Sequence, residues 1–129
     1  MTLGYSKEVM KHFLKPKNMG VIKKPDGIGK IGNPICGDIM WIYINVDKNE
    51  KIKEIKFKTF GCAAAIAVSS MLTQLAKGKK IKDAEKLTMK DVAMSLKGLP
   101  PLKMHCSDMA INALKLAIKD YRKHKKNGK

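Results

Sequence analysis

The sequence predicts one α+β domain over residues 1–129, with a small antiparallel sheet of about three strands packed against several α-helices. Two observations lead to this prediction. Residues 40–46 and 52–60 alternate between inward apolar positions and outward positions, which is typical of strands with one buried face. From residue 64 onward, apolar residues recur at helical spacing instead. Strands therefore come early and helices late, and the sequence indicates neither a repeat nor a linker.

The two predicted strands are expected to pair as a hairpin, because the polar segment DKNEK at residues 47–51 separates them. In the first strand, Met40, Ile42, Ile44 and Val46 are expected on the buried face. In the second, Ile55 and Phe57 are expected there. The lysines that alternate with these apolar residues in the second strand predict that the other face of the sheet is open to water.

Helices are expected before and after this hairpin. A short one within residues 5–16 has Ser6 as its cap and Pro16 at its end, and its apolar face is expected to carry Val9, Met10, Phe13 and Leu14. Another runs from residue 64 to residue 78. A third, within residues 88–98, starts with a capping-box pattern of Thr88 and Asp91.

The last helix follows the double proline at residues 100–101. Its long apolar stripe consists of Ala110, Ala113, Leu114, Ala117, Ile118 and Tyr121. Residues from about 124 to 129 are expected to form a frayed basic tail.

The net charge of +16 comes almost wholly from lysine, since Arg122 is the only arginine. Arginine makes most bidentate contacts to phosphates and guanine edges, and aromatic residues make up only 5% of the chain, so specific nucleic-acid binding is not expected. The surface suits acidic protein partners instead. Neither a leader nor an apolar stretch of membrane-spanning length is visible, and we expect a cytoplasmic protein without a membrane partner.

The segment GIGKIG, residues 27–32, has the glycine spacing of a dinucleotide-binding loop. Such a loop needs a helix to start at its last glycine, whereas Asn33-Pro34 follows here. We therefore interpret these glycines as a flexible loop or the edge of a hairpin.

Three cysteines lie at the predicted ends of elements. Cys36 precedes the first strand of the hairpin, Cys62 follows the second, and Cys106 begins the last helix. Helix N-termini favour a thiolate, and Asp38 and His105 lie close in sequence. Three thiolates with a carboxylate or an imidazole form a ligand set for zinc or for an iron–sulfur cluster. A thiolate free of metal can accept sulfur as a persulfide, and three cysteines that merely fill a core remain the structural alternative.

With these motifs, the chain resembles the IscU/NifU N-terminal family of iron–sulfur cluster assembly scaffolds. The similarity rests on four segments that span nearly the whole chain: YSKEVMKHFLKPKNMG, GNPICGD, IKFKTFGCAAAIAVSSMLTQLAKGK and LPPLKMHCS. It implies a SufE/NifU-like fold and a scaffold without turnover chemistry of its own. The chain departs from the family pattern at two places. Ala63-Ala64-Ala65 stands where the family has Gly-Ser-Ala, and Leu102 stands where the family has valine.

The resemblance implies that Cys36, Cys62 and Cys106 bind a transient [2Fe–2S] cluster. Asp38 matches an aspartate whose loss stabilises the cluster in relatives, and His105 matches an alternative ligand, so the fourth ligand stays open between them. Cys106 is also the implied persulfide acceptor. Lys103 matches a lysine that contacts anionic groups at the site, and Zn²⁺ is a candidate for the site when it lacks a cluster.

The partners implied by the resemblance are a PLP-dependent cysteine desulfurase, an iron donor or regulator, ferredoxin and apo-protein acceptors. A DnaK-class chaperone would bind through Leu99–Lys103. The resemblance leaves open whether two copies of the chain form a homodimer that shares a cluster. The alternative function is that of a zinc-bound SufU-like protein that relays persulfide sulfur. The SufU branch carries an insertion before its third cysteine and lacks the histidine, so His105 and the absence of inserted material between Lys77 and Met104 favour the IscU branch.

Overall fold

The computed structural model describes residues 7–33, 38–60, 63–95 and 104–126, and the side chains of most of these. The elements in chain order are α1 (Lys7–Leu14), β1 (Gly27–Asn33), β2 (Asp38–Val46), β3 (Ile52–Phe60), α2 (Ala63–Ala76), α3 (Ile81–Ala84), α4 (Met89–Ser95) and α5 (Met104–Lys126). The three strands form one antiparallel sheet in the order β1-β2-β3. The predicted α+β architecture is therefore confirmed.

The hairpin of β2 and β3 follows the predicted alternation. Met40, Ile42 and Ile44 of β2 are fully buried on the face that carries the helices. On β3, Ile52, Ile55 and Phe57 are buried as well, although Ile52 and Phe57 are five positions apart and would face opposite sides of a regular strand. A register shift at Asn45/Val46 explains this, because a bulge at that point returns the side chains before it to the buried face.

Strand β1 lies at the edge of the sheet and pairs antiparallel with β2, so of the two interpretations of GIGKIG the hairpin edge is confirmed and the flexible loop is wrong. Residues Gly27–Asn33 pair with β2 along their whole length. A Cβ atom at Gly27 would lie 2.2 Å from the carbonyl oxygen of Ala117, and one at Gly29 would lie 1.9 Å from that of Ala113. These glycines therefore let the backbone of α5 lie directly against the strand.

Helices α2 and α5 supply most of the remaining core. The predicted stripe of α5 is buried from Ala110 to Ile118, and Tyr121 is half-buried. Helix α5 continues through Lys126, into the segment expected to fray. Among the described residues, no helix is long and apolar enough to span a membrane.

Helix α2 is buried around most of its circumference, polar residues included. Ser69, Ser70 and Thr73 are fully buried. A hydrogen bond of 2.7 Å joins Ser70 Oγ to Nδ1 of the buried His12 on α1, and the backbone N–H of Lys17 donates to the same oxygen at 2.7 Å. These contacts hold the N-terminal segment on the domain.

The segment after α1 also covers the free edge of β3. Asn18 Nδ2 donates to Thr73 Oγ1 at 3.1 Å, and the backbone N–H of Phe57 donates to the carbonyl oxygen of Asn18 at 2.9 Å. The apolar face predicted for α1 was wrong at Leu14, whose exposed fraction is 70%. The residue buried near it is His12.

Helix α4 starts with the predicted capping box. The backbone N–H of Asp91 donates to Thr88 Oγ1 at 3.2 Å, and the backbone N–H of Thr88 donates to Asp91 Oδ2 at 2.9 Å. Each side chain thus satisfies a backbone donor that the helix leaves free.

Candidate functional site

One end of the sheet gathers the element ends beside the predicted ligands. Asn33, the last residue of β1, pairs with Asp38, the first residue of β2. Next to it, Ile39 pairs with Phe60, the last residue of β3. We call this the site end of the sheet, defined by Asn33, Asp38 and Phe60. Helix α2 begins three residues after Phe60, at Ala63, so its N-terminus lies at the same end.

Helix α5 extends toward the site end as well. It runs antiparallel to β1, because Gly27 and Gly29 lie against Ala117 and Ala113 respectively. Two residues along a strand advance about 6.7 Å and four residues along a helix advance about 6 Å, so every two residues of β1 correspond to four residues of α5. At this ratio, residues 105–106 of α5 lie level with the end of β1.

The structure places the backbone of three predicted site residues. Asp38 is the first residue of β2, and His105 and Cys106 follow Met104 in the first turn of α5. The orientation of their side chains lies outside the described part of the structure. Cys36, Cys62 and Lys103, and the predicted chaperone segment Leu99–Lys103, also lie outside the described residues.

The described residues that flank these positions constrain the site. Cys36 lies in the four-residue connection between the paired residues Asn33 and Asp38. Cys62 lies in the two-residue connection between Phe60 and Ala63. Within the described parts of the chain, His, Cys, Asp and Glu side chains form no group of three that could hold a metal ion.

The electrostatics of the described element ends suit anionic ligands. Neither α2 nor α5 has an acidic residue in its first turn, so no carboxylate there offsets the partial positive charge of the N-terminus. A thiolate or an anionic cluster is stabilised in such surroundings.

A basic aromatic patch lies on the outer face of the sheet, close to the site end. Lys30, Trp41 and Lys58 are register partners across the three strands. The Nζ atoms of Lys30 and Lys58 lie 5.4 and 5.6 Å from the Trp41 ring centre. Phe60, 60% exposed, packs edge-on against Trp41 at 5.9 Å. The sequence predicts only that this face is open to water, because the two lysines beside Trp41 belong to different strands and are brought there by the register.

Two surface cavities lined by described residues lie apart from the site end. One, of about 310 Å³, lies between the β2–β3 turn, α3 and Arg122. The other, of about 360 Å³, is a wide groove between β1 and α5 at Ile28 and Leu116. Neither is lined by a predicted ligand. In the first, Arg122 is held by a bidentate ion pair with Glu85, at 2.7 and 2.9 Å. This pair lowers the pKa of Glu85 through the hydrogen bond from the guanidinium group.

The fold defines a small α+β domain with a three-stranded antiparallel sheet, and strand and helix termini meet at one end of that sheet. A sequence profile of the NifU-like N terminal domain family matches residues 4–128, and the chain belongs to this family.

Named relatives agree with this assignment. Iron-sulfur cluster assembly scaffold protein IscU 1 of Archaeoglobus fulgidus is 57% identical over 97% of this chain and 80% of its own. The iron-sulfur cluster assembly enzyme IscU of Drosophila melanogaster is 48% identical over 92% of this chain and 78% of its own. Among solved structures, a scaffold protein for the SUF system from Fervidobacterium islandicum AW-1 has a TM-score of 0.72 and covers 88% of this chain and 96% of its own. Its 24% identity supports the shared fold alone.

Proposed function

We propose that this protein is a scaffold on which a [2Fe–2S] cluster is assembled and from which it is transferred to apo-proteins. The observation that carries the proposal is the convergence of β1, β2, β3, α2 and α5 at the site end, because the sequence has Cys36 between β1 and β2, Cys62 between β3 and α2, and Cys106 in the first turn of α5. Membership in the NifU-like family and the names of its IscU relatives support a scaffold role.

The ligand set explains why such a cluster can be given away. Three thiolates, from Cys36, Cys62 and Cys106, would hold it firmly on one side. The fourth position falls to Asp38 or His105, and a carboxylate or imidazole is exchanged more readily than a thiolate. We propose that this weaker position makes the cluster labile, so that the protein carries the cluster as cargo and has no turnover of its own.

Sulfur would arrive from a PLP-dependent cysteine desulfurase. The Cys106 thiolate attacks the outer sulfur of the persulfide on that enzyme, the S–S bond breaks, and the enzyme leaves as a thiolate. The sulfur now on Cys106 needs two electrons to become sulfide, which a ferredoxin supplies one at a time. Lys103, next to this segment, would stabilise the anionic groups, and an iron donor completes the supply.

The remaining partners follow from the same proposal. A DnaK-class chaperone would bind Leu99–Lys103 and assist release, in a cytoplasmic setting, and Zn²⁺ would occupy the site in the absence of a cluster. A SufU-like sulfur relay is not favoured, because the IscU relatives are far more similar than the SUF-system structure and because His105 is present.

Anaerobic reconstitution with ferrous iron and sulfide tests the proposal. The wild-type protein is expected to develop the visible absorption of a [2Fe–2S] cluster, and Cys36→Ala, Cys62→Ala and Cys106→Ala are each expected to lose most of it. Asp108→Ala is the matched control, since Asp108 is an exposed carboxylate on α5 and is expected to leave the absorption unchanged. Undiminished absorption in all three cysteine variants would refute the ligand assignment.

Transfer to an apo-ferredoxin identifies the labile position. If Asp38 is the exchangeable ligand, Asp38→Ala slows transfer and lengthens the lifetime of the bound cluster while His105→Ala does not. The reverse result assigns that role to His105. Equal transfer rates in both variants and the wild type would exclude a labile fourth ligand.

A further inference from the structure

The contact between β1 and α5 is closer than side-chain packing permits. A Cβ atom at Gly29 would lie 1.9 Å from the carbonyl oxygen of Ala113 and 2.7 Å from the backbone nitrogen of Ala117. Cβ atoms essentially never approach other atoms within 3.0 Å, and the atoms met here are backbone, which cannot rotate away. Any side chain at Gly29 would therefore force α5 and β1 apart by at least 1.1 Å.

A second contact fixes the same pair of elements. A Cβ atom at Gly27 would lie 2.2 Å from the carbonyl oxygen of Ala117 and 3.0 Å from the Cβ atom of Tyr121. Next to it, the backbone N–H of Ile28 donates to Asp120 Oδ2 at 2.9 Å. Two backbone contacts one helical turn apart, with this hydrogen bond, determine the distance of α5 from the strand, its direction and its position along it.

We propose that Gly27 and Gly29 are positioning residues for the metal site, because they set where the first turn of α5 lies relative to the site end of the sheet. This inference rests on the proposed function. The same strand that α5 lies against pairs at Asn33 with Asp38, so β1 connects the helix that carries His105 and Cys106 to the strand that carries Asp38.

The magnitude of the shift makes metal binding sensitive to this contact. Cys106 lies about two helical turns before Ala113, and an α-helix over about 10 Å moves nearly as a rigid body. Metal–ligand distances tolerate only about 0.2 Å of error. A displacement of 1.1 Å at Gly29 therefore exceeds the tolerance of a site whose other ligands belong to different elements.

The test compares the affinity for Co²⁺, whose thiolate charge-transfer absorption reports the coordination directly. We expect Gly29→Ala to weaken Co²⁺ binding about tenfold or more at a temperature where circular dichroism shows the variant folded, as losses of supporting groups around metal ligands do. Gly27→Ala is expected to have a smaller effect, since its forced shift is 0.8 Å and it lies further from Cys106.

The matched control is Gly78→Ala. Gly78 has a φ of 88°, so alanine there is strained and lowers stability, but a Cβ atom meets nothing within 4 Å and does not touch α5. Its Co²⁺ affinity is expected to stay within about twofold of the wild type, because only global stability has changed.

Each outcome decides the inference. Wild-type affinity in Gly29→Ala, or an equal loss in Gly78→Ala, would overturn it. Failure of both Gly27→Ala and Gly29→Ala to fold would also overturn it, because the contact would then be a requirement of the whole fold. A wild-type protein without any thiolate–Co²⁺ absorption would instead refute the proposed function, and the positioning role with it.

Discussion

Substitution of Ser70 by alanine is expected to loosen the N-terminal segment, because one hydroxyl group serves two partners there. Ser70 is fully buried, and its Oγ lies 2.7 Å from His12 Nδ1 and 2.7 Å from the backbone nitrogen of Lys17. Removing one partner of a buried hydrogen bond costs about 1–3 kcal/mol. The bond to His12 is buried and the bond from Lys17 is part-buried, so we expect Ser70→Ala to lower the free energy of unfolding by about 2 kcal/mol.

Ser69→Ala provides an unusually close control for this prediction. Ser69 is the preceding residue of α2 and is fully buried as well, so the two substitutions remove the same atom at equal exposure. The hydroxyl group of Ser69 donates to Met40 Sδ at 3.2 Å, and a thioether is a weak acceptor. We therefore expect Ser69→Ala to cost less than about 1 kcal/mol.

Urea denaturation followed by far-ultraviolet circular dichroism measures both values, provided that the m-value is unchanged. Amide hydrogen exchange locates the effect, since Ser70→Ala should speed exchange in α1 more than in the sheet. Equal losses in the two variants would refute the reasoning, because burial of the hydroxyl group, and not its partners, would then determine the cost.

Two smaller predictions concern the surface. Thr88→Ala is expected to cost about 1 kcal/mol in thermal or urea unfolding, because it removes the cap of α4, whereas an unchanged stability would show that the capping box contributes nothing. The hydrogen bond from Arg122 lowers the pKa of Glu85 in the folded state. The ion pair therefore stabilises the fold at pH values above the ordinary glutamate pKa of 4.5, and this stabilisation is lost as the pH falls through the lowered pKa. Between about pH 6 and pH 3, the Glu85→Gln variant should therefore lose less unfolding free energy than the wild type. The difference between the two losses should not exceed about 1 kcal/mol, because the pair is exposed, and identical pH profiles would contradict the prediction.

The local pattern of the chain was sufficient to predict the hairpin and the order of the elements. The predicted second strand, residues 52–60, has the bounds of β3, and the helix expected from residue 64 begins at Ala63. Alternation and helical periodicity are properties of neighbouring residues, so they can be recognised in the sequence alone. For the same reason the cysteines could be assigned to the ends of elements.

The sequence left β1 open between a loop and a hairpin edge, and it could not reveal the polar contacts of α2. Glycine weakens the signal of a strand, and GIGKIG has no alternation that would indicate one. His12 and Ser70 are 58 residues apart, and neither position suggests a partner to the other. Burial of these groups depends on the packing of α1 against α2, which no local pattern specifies.

What the sequence by itself determined about this protein is its class: the hairpin, the helices, the family and the identity of the candidate ligands. What only the tertiary structure decided is which element ends meet at the site end of the sheet. The strand register pairs Asp38 with Asn33 at the end of β1, and α5 lies against Gly27 and Gly29 at backbone distance. The physical reason is that close packing depends on residues far apart in the chain, whose side chains must be absent where two backbones meet.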